Sequence, residues 1–425
     1  MKANIFQVSL LVGSIFAVSS TVHAEEVAIQ PLAIESYSKD FNVSTQEAER
    51  RLKIESQLDY ILDGLDDQFG ESIASVYFDN GQDFKLVVRT TKKGNTERKV
   101  IDLTNQLSKE YSLPIEVVGN APRNFKSIQN IIENQGSRIS KLYESFQTIG
   151  YDPQNDSIYI SFYEPDTTRQ EKIKSSLKKI SGMDTTIKFL AEPIALTAGE
   201  SGGGLIDYTL DDICTGGFTG TMNGQLGILT ATHCVLNKTT TTYNNNYYAP
   251  VSVGTHITPE TTSHEISFLP LKTTSIVGSV QQYVPEGTSS TNVYTSNLPI
   301  TGIGYAQGEK IINNQKVGGT YLCHTGQKTG YSCGRVVSVI SSAGTCNSAS
   351  LNKTTRASCG ATFLLVTGPS FKITGGDSGG PLFDPSGKAY GIASAGGMDT
   401  DGSGRYSGFF SSLAYLSGFT LKTGG

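Results

Sequence analysis

A serine is a weak nucleophile until a neighbouring base takes its proton, and the oxyanion that then forms needs donors already in place. The run Gly376-Asp377-Ser378-Gly379-Gly380-Pro381 sets a serine inside a glycine-rich bend, where missing side chains let backbone N–H groups approach a substrate carbonyl. Ser378 is the candidate nucleophile. Thr230-Ala231-Thr232-His233-Cys234 supplies a histidine 145 residues earlier, and His233 is the candidate general base. Such a base works only if a third group bonds its other ring nitrogen and fixes the tautomer. Either residue alone would be read as structural. Together, in these settings, they point to acyl transfer.

TATHC and GDSGGP in this order resemble the motifs of the chymotrypsin family of serine peptidases. Within that family, CHTGQKTGYSCG at 323–334 is similar to the small disulfide hairpin of the streptogrisin and α-lytic group. The stretches STQEAERRL, FKLVVRTT and YDPQNDSIYI resemble the pro-regions of those bacterial enzymes. The resemblance implies His233 as base, Ser378 as nucleophile, and the N–H groups of Gly376 and Ser378 as the oxyanion hole, with Asp377 structural. It implies that Ser394, Ala395 and Gly396 pair with substrate backbone and line the specificity pocket. It also implies disulfides Cys214 to Cys234 and Cys323 to Cys333, which leaves Cys346 with Cys359.

The third triad member departs from the family, because no aspartate lies between Cys234 and Gly376. Four glutamates do, at positions 260, 265, 286 and 309. Glu265 opens the apolar run Ile266-Ser267-Phe268-Leu269, and family members carry their aspartate at such a strand start, so Glu265 is the expected acid. Its extra methylene requires the backbone to sit slightly further back. A catalytically silent homologue that kept the fold as a binding module is the second reading. Lys372, His256, His264 and His324 read as surface residues, with no metal role.

The elements that must position these groups differ in texture across the chain. Before residue 199, Ser44, Thr45, Gln46 and Glu47 form a capping box ahead of a long amphipathic helix ending at Gly70. Ile73–Phe78 and Phe84–Val88 flank Asp79-Asn80-Gly81 as a hairpin. Helices near 101–111, 125–143 and 168–180 alternate with strands at 115–118, 157–163 and 186–190, giving an α+β region. After residue 199, short apolar runs between Gly, Ser and Thr turns predict all-β structure, two antiparallel β-barrels in a chymotrypsin-like fold. Only Phe409–Leu421 reads as a closing helix.

Charge and cysteine usage divide the chain at the same place. Residues 25–198 carry 27 acidic and 21 basic side chains, while residues 199–425 carry 12 of each and all six cysteines. An even cysteine count without CxxC spacing predicts disulfides rather than zinc. Met1 and Lys2 followed by the apolar Ile5–Val18 read as a signal peptide. The expected organisation is a signal peptide at 1–24, a pro-region at 25–198 and a protease domain at 199–425. The product would be secreted and monomeric, acting on polypeptides and engaging its own pro-region, without cofactor. Neither charge nor hydropathy suggests nucleic acid or membrane as a partner.

Overall fold

The computed structural model describes residues 28–424 except 58–64, 66–68, 92–94, 144, 163–166, 190–204, 209–213, 236–239, 245–250, 256, 258–264, 286–291, 305–316, 344–361 and 399–404. The signal peptide, the boundary near residue 198, Cys346, Cys359, His256 and His264 lie outside the described residues. So does most of the expected continuation of the first long helix toward Gly70. Among the described residues no helix is long and apolar enough to cross a membrane.

The N-terminal region begins with two helices, α1 (Pro31–Phe41) and α2 (Thr45–Ser56). Pro31 opens α1 where its missing N–H costs nothing, and Asn42 closes it in the left-handed conformation, φ 51°. The Ser44 side chain caps α2 by accepting from the Glu47 N–H, as the capping box predicts. Next come β1 (Ile73–Asp79), β2 (Lys85–Thr90), α3 (Asn95–Glu110) and β3 (Ile115–Val118). Strand β2 pairs antiparallel with β1 and parallel with β3, and a core including Phe78, Leu86 and Val100 fills this lobe. A second lobe follows: α4 (Phe125–Leu142), β4 (Phe146–Asp152), β5 (Ser157–Phe162), α5 (Thr167–Ser181) and β6 (Asp184–Phe189).

The C-terminal region is built of strands. One sheet holds β7 (Thr219–Met222), β8 (Gln225–Ala231) and β9 (Ile266–Pro270), in the order β9, β8, β7, with the last strand of the chain on the outer side of β7. A second holds β10 (Tyr321–Gly326), β11 (Gly330–Ala343), β12 (Phe363–Gly368), β13 (Pro381–Phe383), β14 (Lys388–Met398) and β15 (Tyr406–Ser412), beside two smaller sheets. Pairing of β10 with β11 closes this second set into a barrel. Residues 409–421 do not form the expected closing helix beyond a single 3₁₀ turn at Leu413–Tyr415. Phe409 and Phe410 belong to β15, and Phe419–Leu421 forms β16, which pairs with β7. Strand β15 is buried on both faces between β12 and β14, so it shows no alternation, and a short apolar run without alternation reads equally as helix or strand.

Hydrophobic packing ignores the boundary between the regions. One core joins Phe125, Ile128 and Ile149 to Leu322, Val366, Phe371 and Phe410, and another joins Tyr37 and Leu52 to Phe218, Tyr321 and Phe383. Strand β4 extends the barrel sheet by pairing Gly150, Ile149 and Thr148 with Ser341, Ser342 and Ala343 at the end of β11. Strand β1 pairs in parallel with Val317 and Gly318.

Candidate active site

His233 sits in a one-turn 3₁₀ segment at the end of β8, and Glu265 immediately precedes β9, the neighbour of β8. Antiparallel pairing of these strands therefore delivers the two residues to the same end of the sheet. The Glu265 Oε1 carboxylate oxygen lies against His233 Nδ1 and also accepts the His233 backbone N–H at 3.2 Å. The backbone is locked as well: the Thr232 N–H donates to the Glu265 carbonyl at 3.3 Å, and the Glu265 N–H donates to Ser411 Oγ at 3.2 Å. Glu265 Oε2 accepts the Ser394 hydroxyl. Glu265 is buried, and both of its carboxylate oxygens are occupied. With Nδ1 engaged, Nε2 is the imidazole nitrogen left for proton transfer, and it has no hydrogen-bond partner among the described residues.

Ser378 lies in the bend between β12 and β13, buried, with its hydroxyl 3.4 Å from the Ser394 carbonyl. Ser394 thus touches both candidates, its carbonyl near Ser378 and its hydroxyl on Glu265. The sequence places Ser394 only in the substrate strand. Its second contact depends on β14 of one sheet facing Glu265 of the other, which no local pattern encodes. The same holds for Ser411 on β15.

Glycine is required in the bend by conformation. Gly376 and Gly379 have φ of 101° and 88°, and a Cβ on Gly379 would lie 2.1 Å from the Thr215 carbonyl oxygen. The bend is held from two directions. Thr215 donates its N–H to the Ser378 carbonyl at 2.7 Å and its hydroxyl to the Gly376 carbonyl at 2.8 Å. The Cys214–Cys234 disulfide ties this anchor to the residue after His233. Asp377 supplies the second anchor. Its carboxylate accepts the N–H groups of Lys328, Thr329 and Thr374 and the Thr329 hydroxyl, which fastens the bend to the β10–β11 turn. Burial pushes the Asp377 carboxyl up to about 6, against the pull of these donors. The Cys323–Cys333 disulfide spans opposite positions of that same hairpin.

Lys372 is exposed, consistent with a surface reading. His324 is not at the surface. It is fully buried on β10, its Nδ1–H donating to the Pro381 carbonyl at 3.2 Å and its ring edge-on to Phe410. Burial without compensating charge lowers its pKa to about 4, so it is neutral at physiological pH. The sequence reading puts His324 at the surface, but β10 lies inside the barrel wall and all of its residues are buried.

Residues 210–419 match the family model described as Trypsin. This region is a trypsin-family serine protease domain. Among solved structures, a glutamic acid-specific serine protease described as using a histidine triad in substrate binding is 20% identical; the match covers 50% of this chain and 92% of that one, with a TM-score of 0.34. An α-lytic protease homologue, N4, is 19% identical over 51% of this chain and 93% of its own, with a TM-score of 0.32. No curated protein matches in sequence.

Proposed function

We propose that the trypsin-family domain is a secreted serine endopeptidase cleaving peptide bonds through an acyl-enzyme, and that residues 25–198 are its pro-region. The observation that supports catalysis best is the carboxylate of Glu265 on His233 Nδ1, with Ser378 on the neighbouring bend. In this reading His233 Nε2 takes the Ser378 proton as Oγ attacks the substrate carbonyl, forming the C–O bond. The N–H groups of Gly376 and Ser378 receive the oxyanion. The imidazolium, stabilised by Glu265, then protonates the leaving amine, and water releases the acyl group by the same steps in reverse. Ala395 and Gly396 on β14 pair with the substrate backbone.

Export is supported by the N-terminal sequence and by the two described disulfides. The pro-region reading is supported by β4 extending the protease sheet and by the two shared cores, which suit a folding template. A fluorophosphonate probe tests the enzymatic reading: labelling at Ser378 that heating abolishes is expected. Absence of labelling in the secreted form would favour the silent binding module.

A further inference from the structure

Glu55, on the last turn of α2, crosses from the N-terminal region into the surface of the protease domain. It is buried, its Oε2 accepts the Tyr321 backbone N–H at 2.7 Å, and its Oε1 has no hydrogen-bond partner among the described residues. Little counter-charge reaches it: Arg51 and the Tyr37 hydroxyl favour the carboxylate, but less than burial and the Asp384 charge oppose it. Arg51, one turn earlier, spends its guanidinium on Glu47 and on the Asn80 and Gly81 carbonyls. Tyr37 of α1 donates its hydroxyl to Asn80 Oδ1. Across the junction stand Asp384 and Lys388, from the turn joining β13 and β14. Lys388 donates to the Ser56 carbonyl at 2.9 Å, while Asp384 is itself buried with its Oδ2 unpartnered. A carboxylate placed here faces another acid and an empty acceptor site, so its neutral form is the one that fits.

We propose that Glu55 takes up a proton as the N-terminal region seats on the protease domain, making the junction a proton-linked catch that loosens as pH rises. Burial and the Asp384 charge push the Glu55 carboxyl up to about 8. Asp40, which accepts hydroxyls from Ser370 and Tyr321 at the same junction, is shifted in the same direction by burial. The sign follows from linkage. The seated form keeps a proton that the separated form sheds above the ordinary carboxyl range, so seating weakens from there up to about pH 8 and levels off beyond. One pH unit in that window corresponds to up to about a tenfold change. As a means of releasing a pro-region, the catch rests on the pro-region reading; as a proton-binding site it does not.

The test uses the full chain carrying Ser378→Ala, which cannot cleave itself. Amide hydrogen exchange of peptides covering Tyr321, corrected for intrinsic rate, reports opening of the junction. Between pH 5.5 and 7.5 opening should rise by approaching tenfold per unit, and Glu55→Gln should remove most of that slope. The same slope in both chains would overturn the proposal. Should Glu55→Gln not fold, Asp384→Asn serves instead: with the facing charge gone, the steep range ends at a lower pH, and an unmoved range counts against Glu55. Whether the N-terminal region is a pro-region is decided separately, by the N-terminal residue of the secreted protein.

Discussion

Glu265 beside His233 and Glu55 at the junction are the same residue type at nearly the same burial, 4% and 5% exposed. Their surroundings differ in kind. Glu265 meets only donors, the His233 ring and backbone N–H on one oxygen and the Ser394 hydroxyl on the other. Glu55 has the Tyr321 N–H on one oxygen, no hydrogen bond on the other and a second acid beside it, with only weaker help from Arg51 and Tyr37. Burial alone therefore does not decide what a carboxyl group does. A site that offers donors to both oxygens is built for a charge, whereas a site that leaves one oxygen orphaned is built for a proton.

The comparison is sharpest in amide substitutions. Ser378→Ala first sets the floor, with turnover expected to fall on the order of 10⁶-fold. Glu265→Gln should then cost up to about 10⁴-fold in kcat, because the amide nitrogen turns a donor toward groups that are themselves donors. The folded chain should survive, as circular dichroism can verify. Near-normal kcat in Glu265→Gln would remove the glutamate from the mechanism. Protease released from a Glu55→Gln precursor should, by contrast, show the wild-type kcat, since Glu55 belongs to the other region.

Next in size is the disulfide that ties His233 to the Thr215 anchor. Replacing Cys214 and Cys234 by serine frees a loop with sequence separation 20, which should cost about 3 kcal/mol in a denaturant titration. Activity measured well below the unfolding midpoint should fall too, because the anchor that holds the Ser378 bend is no longer fixed to the base. Smaller again is Asn80→Ala at the junction. Asn80 accepts from Tyr37 and donates to the Gly319 carbonyl at 2.8 Å, and its loss leaves both partners short of a bond. About 2 kcal/mol of full-chain stability should go, with no effect on the separated protease domain. Unchanged stability of the full chain would contradict the placement of Asn80.

What the sequence made legible follows the reach of each interaction. The capped start of α2, the β1–β2 hairpin and the alternation of helix and strand through β6 rest on contacts a few residues apart, and their positions are close to those read from the residues. Strand β4 was not legible, because it is buried on both faces and shows no alternation. Helix α1 offers only Ala33 and Tyr37 as buried positions, too few to mark a face. At the site, TATHC and GDSGGP single out His233 and Ser378 as candidates by their resemblance to the family's motifs, and Glu265 was chosen because no aspartate lies between Cys234 and Gly376. The supports from Ser394 and Ser411 were out of reach, since both arise where one sheet meets the other. His324 was misread for the same reason, its burial coming from Phe371 and Phe410 far along the chain.

His324 also yields the smallest effect at neutral pH, and one whose sign opposes the junction. Its imidazole is held neutral by burial, with a pKa near 4, while in an unfolded chain it titrates near the ordinary histidine value. Above about pH 6.5 both states are neutral and His324 adds no pH dependence. As pH falls toward 4 the unfolded chain gains a proton that the folded chain refuses, so stability declines by up to about 3 kcal/mol and then levels off. His324→Asn keeps a donor for the Pro381 carbonyl and cannot titrate, so it should flatten this acid slope while leaving stability above pH 7 lower by no more than about 1–2 kcal/mol for the lost ring contacts. Full-chain melts of wild type and His324→Asn from pH 4 to 8 measure it, and parallel curves would mean that His324 takes up a proton as readily in the fold as in the unfolded chain. Because Glu55 weakens the junction as pH rises and His324 weakens the barrel as pH falls, the two variants should change opposite limbs of the same profile. A single variant that changed both limbs would contradict the separate pH windows assigned to the two groups.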